Sequence, residues 1–384
     1  MGDIIKIRCS IMRGGTSKAV FFLENDLPSD PAKREKVILA AYGSPDKRQI
    51  DGLGGADPLT SKCGVVGPSA RADADVEYSY YRVGIESGYI GAGICGNVSA
   101  AVAPFAIDAG LVKVTEPLTT VRIYNTSRQR VFTAEVPVSN GKVVVEGDYE
   151  IAGVPGTGAK IKLDWKNIVG IESGALLPTG HVVDRISVPG IGDIDASFVD
   201  SGNPVAFIRA ADVGLKGTES AAEVDANKTL LDKLEEIRGI AGEIMGLMKD
   251  RNKSRTQNRN HPLLAFVSPA VDYTTYAGKQ IHADDYDFSS RIMYLQIMHK
   301  TYPGSGTLCT GTTALIEGTV VNQLMKKDSL NKKRVRIGHP GGIIEPESDV
   351  EKIGDKFVVK KSVFYRTARK IMDGEVHIRR KLIE

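Results

Sequence analysis

The sequence lacks the features that mark several large classes of protein. Lysine and arginine total 50 against 47 acidic residues, which leaves a formal net charge of +3, and there is one tryptophan. Without a basic run interleaved with aromatics, this composition argues against a nucleic-acid partner. The longest apolar run, Ala100–Ile107, is far shorter than the ~20 residues of a membrane helix. Met1–Lys6 carries neither a secretory signal nor a myristoylation motif, so we expect no membrane association.

Motifs for metals and common cofactors are also missing. The four cysteines include no C-x-x-C pair, which argues against a zinc ribbon or a disulfide scaffold and favours a reducing cytoplasm. The six histidines form no H-x-x-x-H pair, and neither a P-loop nor a G-x-S-x-G elbow occurs. The segment His282–Asp287 is typical of an exposed acidic loop. We therefore predict no metal and no cofactor.

Glycine, in contrast, is abundant and clustered. There are 41 glycines in 384 residues, about 11% against a typical ~7%. One cluster, Arg13-Gly14-Gly15-Thr16-Ser17-Lys18, offers two glycines, two hydroxyls and two cations within six residues. Such a loop favours a carboxylate nest over a phosphate loop.

The pattern of caps and apolar residues predicts several helices. Asp30-Pro31 starts one that Gly43 ends, and Gly96–Ala109 forms another. Asp225 is expected to cap a long amphipathic helix that reaches Met248. The glycine-rich stretch Gly304–Gly311 is expected to lead into a helix over Thr312–Leu324. Short strands fill most of the remainder, so the sequence indicates two strand-rich halves.

The segment Gly91–Gly96 matches the G-x-G-x-x-G pattern of dinucleotide-binding proteins, and Glu116 follows at a suitable distance. The residues before it do not form a buried parallel strand, which weakens that interpretation. The alternatives are a carboxylate-binding helix start that carries a thiol, and a tight turn with a buried cysteine.

Two residues are candidates for proton transfer. Cys95 lies at the N-terminus of the Gly96–Ala109 helix, where oriented N–H groups favour the thiolate and would lower its pKa. Lys62 lies among small and polar residues, and partial burial would depress its pKa enough for it to act as a base. A solvated loop lysine is the alternative for Lys62, whereas Cys9 alternates with isoleucines as in a core strand.

The sequence around Cys95 is similar to a second segment of the chain, and we call this similarity the sequence echo. Cys95–Val102 and Cys309–Ile316 each combine a glycine-rich entry, a thiol, small polar residues and an apolar helix. The echo predicts two related halves that each contribute a helix N-terminus to an anion-binding cleft. A buried core position is the alternative for Cys309.

Eight short motifs carry a resemblance to a known family. They are Arg13–Lys18, Asp51–Ala56, Thr60–Lys62, Cys95–Asn97, Gly202–Pro204, Ser290–Met293, Gly338–Pro340 and Arg366–Arg369. Together, and in this order, they resemble the 2-methylaconitate cis-trans isomerase family, which includes 3-methylitaconate Δ-isomerase and 4-oxalomesaconate tautomerase. The resemblance runs from Ile7 to Glu375, and Gly304–Thr313 is most similar to the methylitaconate branch.

The resemblance implies an α+β fold similar to that of diaminopimelate epimerase, with two pseudo-symmetric domains that each wrap a β-sheet around a central helix. We place the domains at 1–182 and 183–369, with 370–384 as a candidate completion of the first. Cys95 matches one of the two epimerase cysteines. At the position of the other epimerase cysteine this sequence has Thr310, before Gly311, and Cys309 lies one position before the matching site. This difference puts a two-thiol mechanism in doubt. Lys62 matches the lysine that supplies the family's second acid–base group.

The sequence therefore predicts a cytoplasmic, cofactor-independent isomerase that shifts a proton and a double bond in a small unsaturated di- or tricarboxylate. The expected reaction is 3-methylitaconate to 2,3-dimethylmaleate, with 2-methylaconitate or 4-oxalomesaconate as alternative substrates. Lys62 and Cys95 are the predicted catalytic pair. The candidate substrate ligands are Thr16, Ser17, Gly96, Asn97, Thr310 and Gly311. An NAD-dependent oxidoreductase and a non-catalytic carboxylate-binding protein remain as alternatives, and a homo-oligomer is left open.

Overall fold

The structure is a computed structural model that describes residues 2–151, 153–259, 261–331 and 334–383. Its contacts divide the chain into two compact units. Unit 1 contains Met1–Leu163 and Tyr365–Glu384, and unit 2 contains Asp164–Phe364. The sequence-based division places 164–182 in the first half, whereas the backbone of this segment bonds to a strand of unit 2, with the Asp200 N–H donating to Leu176 O at 2.9 Å.

The helices and strands alternate irregularly along the chain. In the first part they are β1 (Ile4–Gly14), β2 (Ser17–Leu23), α1 (Pro31–Tyr42), β3 (Lys62–Pro68), β4 (Val76–Val83), β5 (Ile90–Gly93), α2 (Gly96–Asp108), β6 (Leu118–Asn125), β7 (Arg130–Ser139), β8 (Lys142–Val143), β9 (Tyr149–Glu150), β10 (Thr157–Gly158) and β11 (Ile161–Asp164). In the second part they are β12 (Asp184–Val188), β13 (Gly192–Ser201), β14 (Asn203–Arg209), α3 (Ala221–Ala226), α4 (Lys228–Ile244), α5 (Ser254–Gln257), β15 (Leu263–Pro269), β16 (Tyr273–Thr274), β17 (Gln280–Ile281), β18 (Phe288–Tyr294), β19 (Ile297–Met298), α6 (Gly304–Leu315), α7 (Lys327–Asn331), β20 (Ile337–His339), β21 (Gly342–Ile344), β22 (Glu347–Ile353), β23 (Lys356–Arg366) and β24 (Ala368–Arg379).

Unit 1 wraps its sheet around α2. The strands follow the order β11-β7-β6-β4-β3-β2-β1-β24, with β5 added to β4 and β8 to β7. Every residue of α2 from Gly96 to Ile107 is buried, and the helix packs against β1, β2, β3, β7 and β24. The alanines and valines of α2 suit this position because small side chains let strands approach from several sides.

On another face of the unit 1 sheet, α1 forms as its sequence predicts. Asp30 caps it by accepting a hydrogen bond from the Lys33 N–H, Pro31 occupies the first turn, and Gly43 ends it in the left-handed region at φ 69°. The apolar side of α1 is buried in the core of unit 1 through Val37 and Tyr42. The predicted bounds of α1 are confirmed, and α2 begins at Gly96 as predicted and ends at Asp108, one residue before the predicted Ala109.

Unit 2 repeats this plan around α6. Its main sheet follows the order β12-β13-β14-β15-β18-β20-β21, with β19 added to β18. Residues Gly304–Ala314 of α6 are buried, and the helix packs against β13, β14 and β22. The amphipathic α4 covers a separate core through Leu234, Ile237 and Ala241. The predicted arrangement, in which each unit wraps a sheet around one central helix, is confirmed.

Two sequence-based predictions in unit 2 are wrong. Helix α6 extends from Gly304 to Leu315 and not over the predicted range Thr312–Leu324. Its glycines serve packing and not a loop, because a Cβ atom on Gly311 would lie 2.5 Å from Pro346 Cγ. The cap of α4 is Asn227, whose side chain accepts from the Leu230 N–H. Asp225 instead belongs to α3, and its carboxylate accepts from the Met298 N–H at 2.8 Å.

Within the described parts of the chain, every helix is too short or too polar to cross a membrane.

Candidate active site

The site in unit 1 is built first on two parallel strands. β2 and β3 pair in parallel with Ala19 opposite Lys62, which brings Ser17 beside Lys62 where the two strands begin. The Lys62 ammonium donates to Ser17 Oγ at 2.9 Å. Only 4% of Lys62 is exposed, so it is buried as expected and is not a solvated loop lysine.

The backbone at Lys62 is held from two sides. The hydroxyl of Tyr42, on α1, donates to the Lys62 carbonyl oxygen. Gln49 donates to Ser61 Oγ at 2.8 Å and accepts from the Ala56 N–H at 2.8 Å. The glycine-rich motif Asp51–Ala56 is therefore folded around Gln49, directly before the lysine. The motif thus helps to hold the backbone at the start of β3.

Helix α2 delivers the second candidate. Cys95 is its N-cap, in extended conformation at φ −135°, and the Cys95 carbonyl accepts from the Ser99 N–H at 2.8 Å. The Lys62 Nζ lies 3.6 Å from Cys95 Sγ. Cys95 is partly exposed, whereas Gly96 and Asn97 behind it are buried. The structure thus brings together the two residues that the sequence proposed as a pair.

The loop between β1 and β2 approaches the same helix start. Gly15 adopts φ 52°, and a Cβ atom there would overlap Asn97 Oδ1. A Cβ atom on Gly14 would lie 2.5 Å from the Asn97 carbonyl oxygen. Because both glycines lack a side chain, Asn97 Nδ2 can donate to Thr16 Oγ1 at 3.0 Å. Ser17 thus bonds to Lys62, and the Thr16–Asn97 bond joins the residue before Ser17 to the first turn of α2, directly after Cys95.

Arg366 is a residue of this site that sequence reasoning missed. Its Nε–H donates to Asn97 Oδ1 at 2.9 Å, and Nη1 donates to the Tyr365 carbonyl oxygen. Burial lowers the pKa of Arg366 to about 10, an effect that Tyr149 and Cys95 oppose, so it stays a cation at neutral pH. The only sequence signal was the motif Arg366–Arg369, which carried no assigned role.

Thr310 and Gly311 are not at a helix start. Both lie inside α6 and are buried. The Thr310 hydroxyl shares a hydrogen bond with Tyr302 at 2.9 Å, and Tyr302 in turn shares one with Ser290 at 2.7 Å. The N-terminus of α6 is instead formed by Gly304 and the residues after it. Thr310 and Gly311 therefore take part in internal packing.

Strand register relates unit 2 to unit 1. In unit 2 the parallel pair β14 and β15 places Val205 opposite Leu263, just as Ala19 stands opposite Lys62 in unit 1. The N-cap of α6 is Pro303, where α2 has Cys95. In each unit the register thus identifies the corresponding positions, and those of unit 2 carry an apolar leucine and a proline. Neither can transfer a proton.

The sequence echo that aligned Cys95 with Cys309 is therefore wrong. Cys309 lies within α6 and not at its cap. Its thiol donates to the Val199 carbonyl oxygen at 3.3 Å, and burial raises its pKa. The structure agrees with the alternative interpretation, in which Cys309 is a buried core cysteine.

The dinucleotide interpretation of Gly91–Gly96 does not fit the topology. The residues before Cys95 form β5, which pairs antiparallel with β4, whereas the fingerprint requires a parallel strand that leads into a helix. Across the described ranges, no three His, Cys, Asp or Glu side chains cluster as metal ligands.

Comparison with known proteins decides the family. A family model described as PrpF protein matches residues 4–379. The chain belongs to the PrpF protein family. This PrpF chain is 46% identical over 380 residues to 3-methylitaconate isomerase of Eubacterium barkeri, covering 98% of each. It is 35% identical over 389 residues to 2-methyl-aconitate isomerase of Shewanella oneidensis, covering 97% of each.

Solved structures agree with this assignment. The crystal structure of methylitaconate-delta-isomerase matches with a TM-score of 0.87 at 45% identity, covering 100% of this chain and 98% of that one. A hydroxyproline epimerase from Agrobacterium vitis matches with a TM-score of 0.57 at 12% identity, covering 98% and 94%, and shows the fold alone. The epimerase-like fold and the isomerase class predicted for the PrpF chain from its motifs are thereby confirmed.

Proposed function

We propose that this PrpF family member is a cofactor-independent isomerase that converts 3-methylitaconate to 2,3-dimethylmaleate by acid–base catalysis. The observation that carries the proposal is the Lys62 ammonium, 3.6 Å from the Cys95 thiol and 2.9 Å from the Ser17 hydroxyl. The choice of substrate is supported by the 46% identity to the 3-methylitaconate isomerase of Eubacterium barkeri.

The reaction is a proton shift across an allyl system. A base removes the proton from the carbon that carries the methyl group and one carboxylate, and the electrons delocalise into that carboxylate and over the double bond to the terminal CH₂. An acid then returns a proton to the terminal CH₂, which becomes a methyl group. Lys62 and Cys95 would provide these two groups in an order that we leave open. One positioned acid–base group typically contributes about 10²–10⁴-fold to the rate.

The developing charge needs fixed hydrogen-bond donors. The backbone N–H groups of Gly96 and Asn97 open α2, a buried helix whose N-terminal dipole favours an anion. Thr16 and Ser17 add hydroxyls beside them. Such preorganised donors stabilise an enolate-like state, and the carboxylate on the deprotonated carbon of the substrate is itself the electron sink. We therefore invoke no metal or organic cofactor. Thr310 and Gly311 are left out because their environment is one of internal packing.

A second substrate has support of its own. The 35% identity to 2-methyl-aconitate isomerase extends over nearly the whole chain, and a tricarboxylate would use the same proton-transfer pair. Substrate preference therefore needs a direct comparison.

The test measures kcat/KM of the purified protein for 3-methylitaconate, 2-methylaconitate and 4-oxalomesaconate by proton NMR. We expect kcat/KM for 3-methylitaconate to exceed the values for the other two substrates by at least about tenfold, the effect of one favourable contact. A preference for another substrate would refute this choice but keep the isomerase class. Turnover of none of them would refute the class. Lys62→Met is the matched control, because loss of activity in this variant ties turnover to the site.

A further inference from the structure

Two neighbouring hydroxyls in the site, Thr16 and Ser17, each accept a hydrogen bond from a side-chain nitrogen. For Ser17 the donor is the Lys62 ammonium at 2.9 Å. An ammonium has three donors and no acceptor, and a serine hydroxyl has one hydrogen. With Lys62 as the ammonium, Ser17 Oγ accepts from it, and the hydrogen of Ser17 points elsewhere.

For Thr16 the direction is set through an intermediate, Asn97. An asparagine amide can be turned over, so its oxygen and nitrogen are distinguished by their partners. A guanidinium only donates, so the atom 2.9 Å from Arg366 Nε must be Oδ1. The same oxygen accepts a longer bond from the Thr16 N–H, at 3.4 Å. Nδ2 then faces Thr16 Oγ1 at 3.0 Å and donates to it. The Thr16 hydrogen is thereby also directed away from the protein partner.

This chain of bonds is held rigidly. Arg366 and Asn97 are 2% and 3% exposed. The Arg13 guanidinium donates to the Gly15 and Thr367 carbonyl oxygens at 3.1 and 2.9 Å, and the Gly15 N–H donates to Thr367 O at 3.0 Å. The segment that carries Arg366 is thus tied to the loop that carries Thr16.

We propose that Arg366 is a positioning residue that, through Asn97, fixes the Thr16 hydroxyl as a donor, so that Thr16 and Ser17 together offer two hydroxyl hydrogens to one ionised carboxylate. An ionised carboxylate only accepts hydrogen bonds and matches such a pair, whereas an ester has weaker acceptors and an amide presents a competing donor. This inference rests on the proposed function for the identity of the ligand, and it adds which ionic form the site selects.

The experiment uses methylsuccinate, a saturated five-carbon diacid that cannot undergo the isomerisation. Its dissociation constant is measured by titration calorimetry at pH 7 for the native protein and for Arg366→Gln and Arg366→Lys. Each variant is prepared with Thr16 intact and with Thr16→Val. Gln can both donate and accept, so it removes the shorter constraint on the Asn97 amide and leaves the longer bond from the Thr16 N–H, whereas Lys keeps the donor-only character.

We expect Arg366→Gln to weaken binding about tenfold, as for loss of a hydrogen bond to a charged group, and Arg366→Lys to weaken it less than about threefold. In the Thr16→Val background, Arg366→Gln should raise the dissociation constant of methylsuccinate by less than about twofold. For turnover, Arg366→Gln should raise KM while kcat changes less than about threefold. Equal losses in both backgrounds would overturn the inference, because Arg366 would then act by charge and not through Thr16.

Arg366→Gln must first be shown to fold by circular dichroism. If it does not, Asn97→Asp replaces it, since a carboxylate accepts from both Arg366 and Thr16 and turns the Thr16 hydrogen inward. About tenfold weaker binding that shrinks in the Thr16→Val background supports the inference, and unchanged binding overturns it. Because methylsuccinate binding needs no turnover, a native protein that shows the coupling but does not isomerise 3-methylitaconate would refute the proposed function alone. A native protein that does not bind methylsuccinate refutes this inference.

Discussion

Replacing Cys95 with alanine isolates the proposed chemistry from the fold. The variant removes one of two proton-transfer groups while the Lys62–Ser17 hydrogen bond and the backbone of α2 stay in place. We expect kcat to fall by about 10²–10⁴, which corresponds to roughly 2.7–5.4 kcal/mol at about 1.36 kcal/mol per tenfold. The cost in folding free energy should be below about 1 kcal/mol, because the Cys95 side chain makes no capping bond and is partly exposed.

The chain supplies matched controls for this variant. Cys309 and Cys9 are buried and lie outside the proposed machinery. Cys309→Ala removes a fully buried sulfur together with its bond to the Val199 carbonyl oxygen. Each control should cost about 1–3 kcal/mol of stability while kcat changes less than about threefold. The two effects are therefore expected to separate, with chemistry lost at one cysteine and stability at the others.

The assay combines steady-state turnover of 3-methylitaconate with urea unfolding of each variant. Urea midpoints report stability, and kcat is compared only at temperatures where every variant is folded. Comparable loss of kcat in the Cys95 and Cys309 variants would refute the reasoning, because it would show a folding effect in place of lost proton transfer. A Cys95 variant that retains turnover within about threefold would do the same.

Three further outcomes follow from the geometry. Gly15→Ala should raise KM by at least about tenfold, because the φ of Gly15 is 52° and a Cβ atom there would overlap Asn97 Oδ1. Gly141→Ala is the control, since Gly141 has φ 72° with open space around it, and its KM should be unchanged. A native KM for Gly15→Ala would contradict the close approach of Gly15 to Asn97. Iodoacetamide should inactivate the enzyme by alkylating Cys95, and methylsuccinate should protect it. The other three cysteines should react less, because burial raises the pKa of Cys9, Cys63 and Cys309. Peptide mass spectrometry that assigns inactivation to another cysteine would refute this. Activity should survive exhaustive EDTA treatment and dialysis, and a loss that a divalent ion restores would show that a metal takes part.

The parts of the fold with local signals could be predicted from the sequence. Asp30, Pro31 and Gly43 specify both ends of α1 through capping bonds among nearby residues. The start of α2 at Gly96 is marked by glycine and small polar residues after a turn. The pairing of Lys62 with Cys95 was inferred from a family resemblance and not from spacing, since β4 lies between the strand that starts at Lys62 and the strand that leads to Cys95.

The parts that depend on packing could not be predicted. Glycines in Gly304–Gly311 have the composition of a loop, yet α6 uses them where neighbouring side chains leave no room for a Cβ atom. The same error misplaced Thr310 and Gly311 at a helix start. Arg366 was missed because its partner Asn97 is 269 residues away in the chain. A contact of that separation leaves no periodicity in a single sequence.

The division between the units shows the same limit. No change in composition marks the segment 164–182, and its membership in unit 2 is decided by backbone bonds such as that between Gly170 N and Asp200 O. Without a linker signal, a boundary placed by pattern alone can miss the point at which the contacts change.

The most direct test of the account follows deuterium from solvent into product. The enzyme is incubated with 3-methylitaconate in heavy water, and the methyl groups of 2,3-dimethylmaleate are analysed by NMR and mass spectrometry. Two separate proton-transfer groups predict one deuterium in the new methyl group. They also predict that one of the two variants Lys62→Met and Cys95→Ala, the one that keeps the base, still exchanges the substrate C–H without forming product. The other variant should neither exchange this proton nor form product. Product that carries no solvent deuterium, or single variants that both convert the substrate at the native rate, would contradict the claim that Lys62 and Cys95 act as a pair.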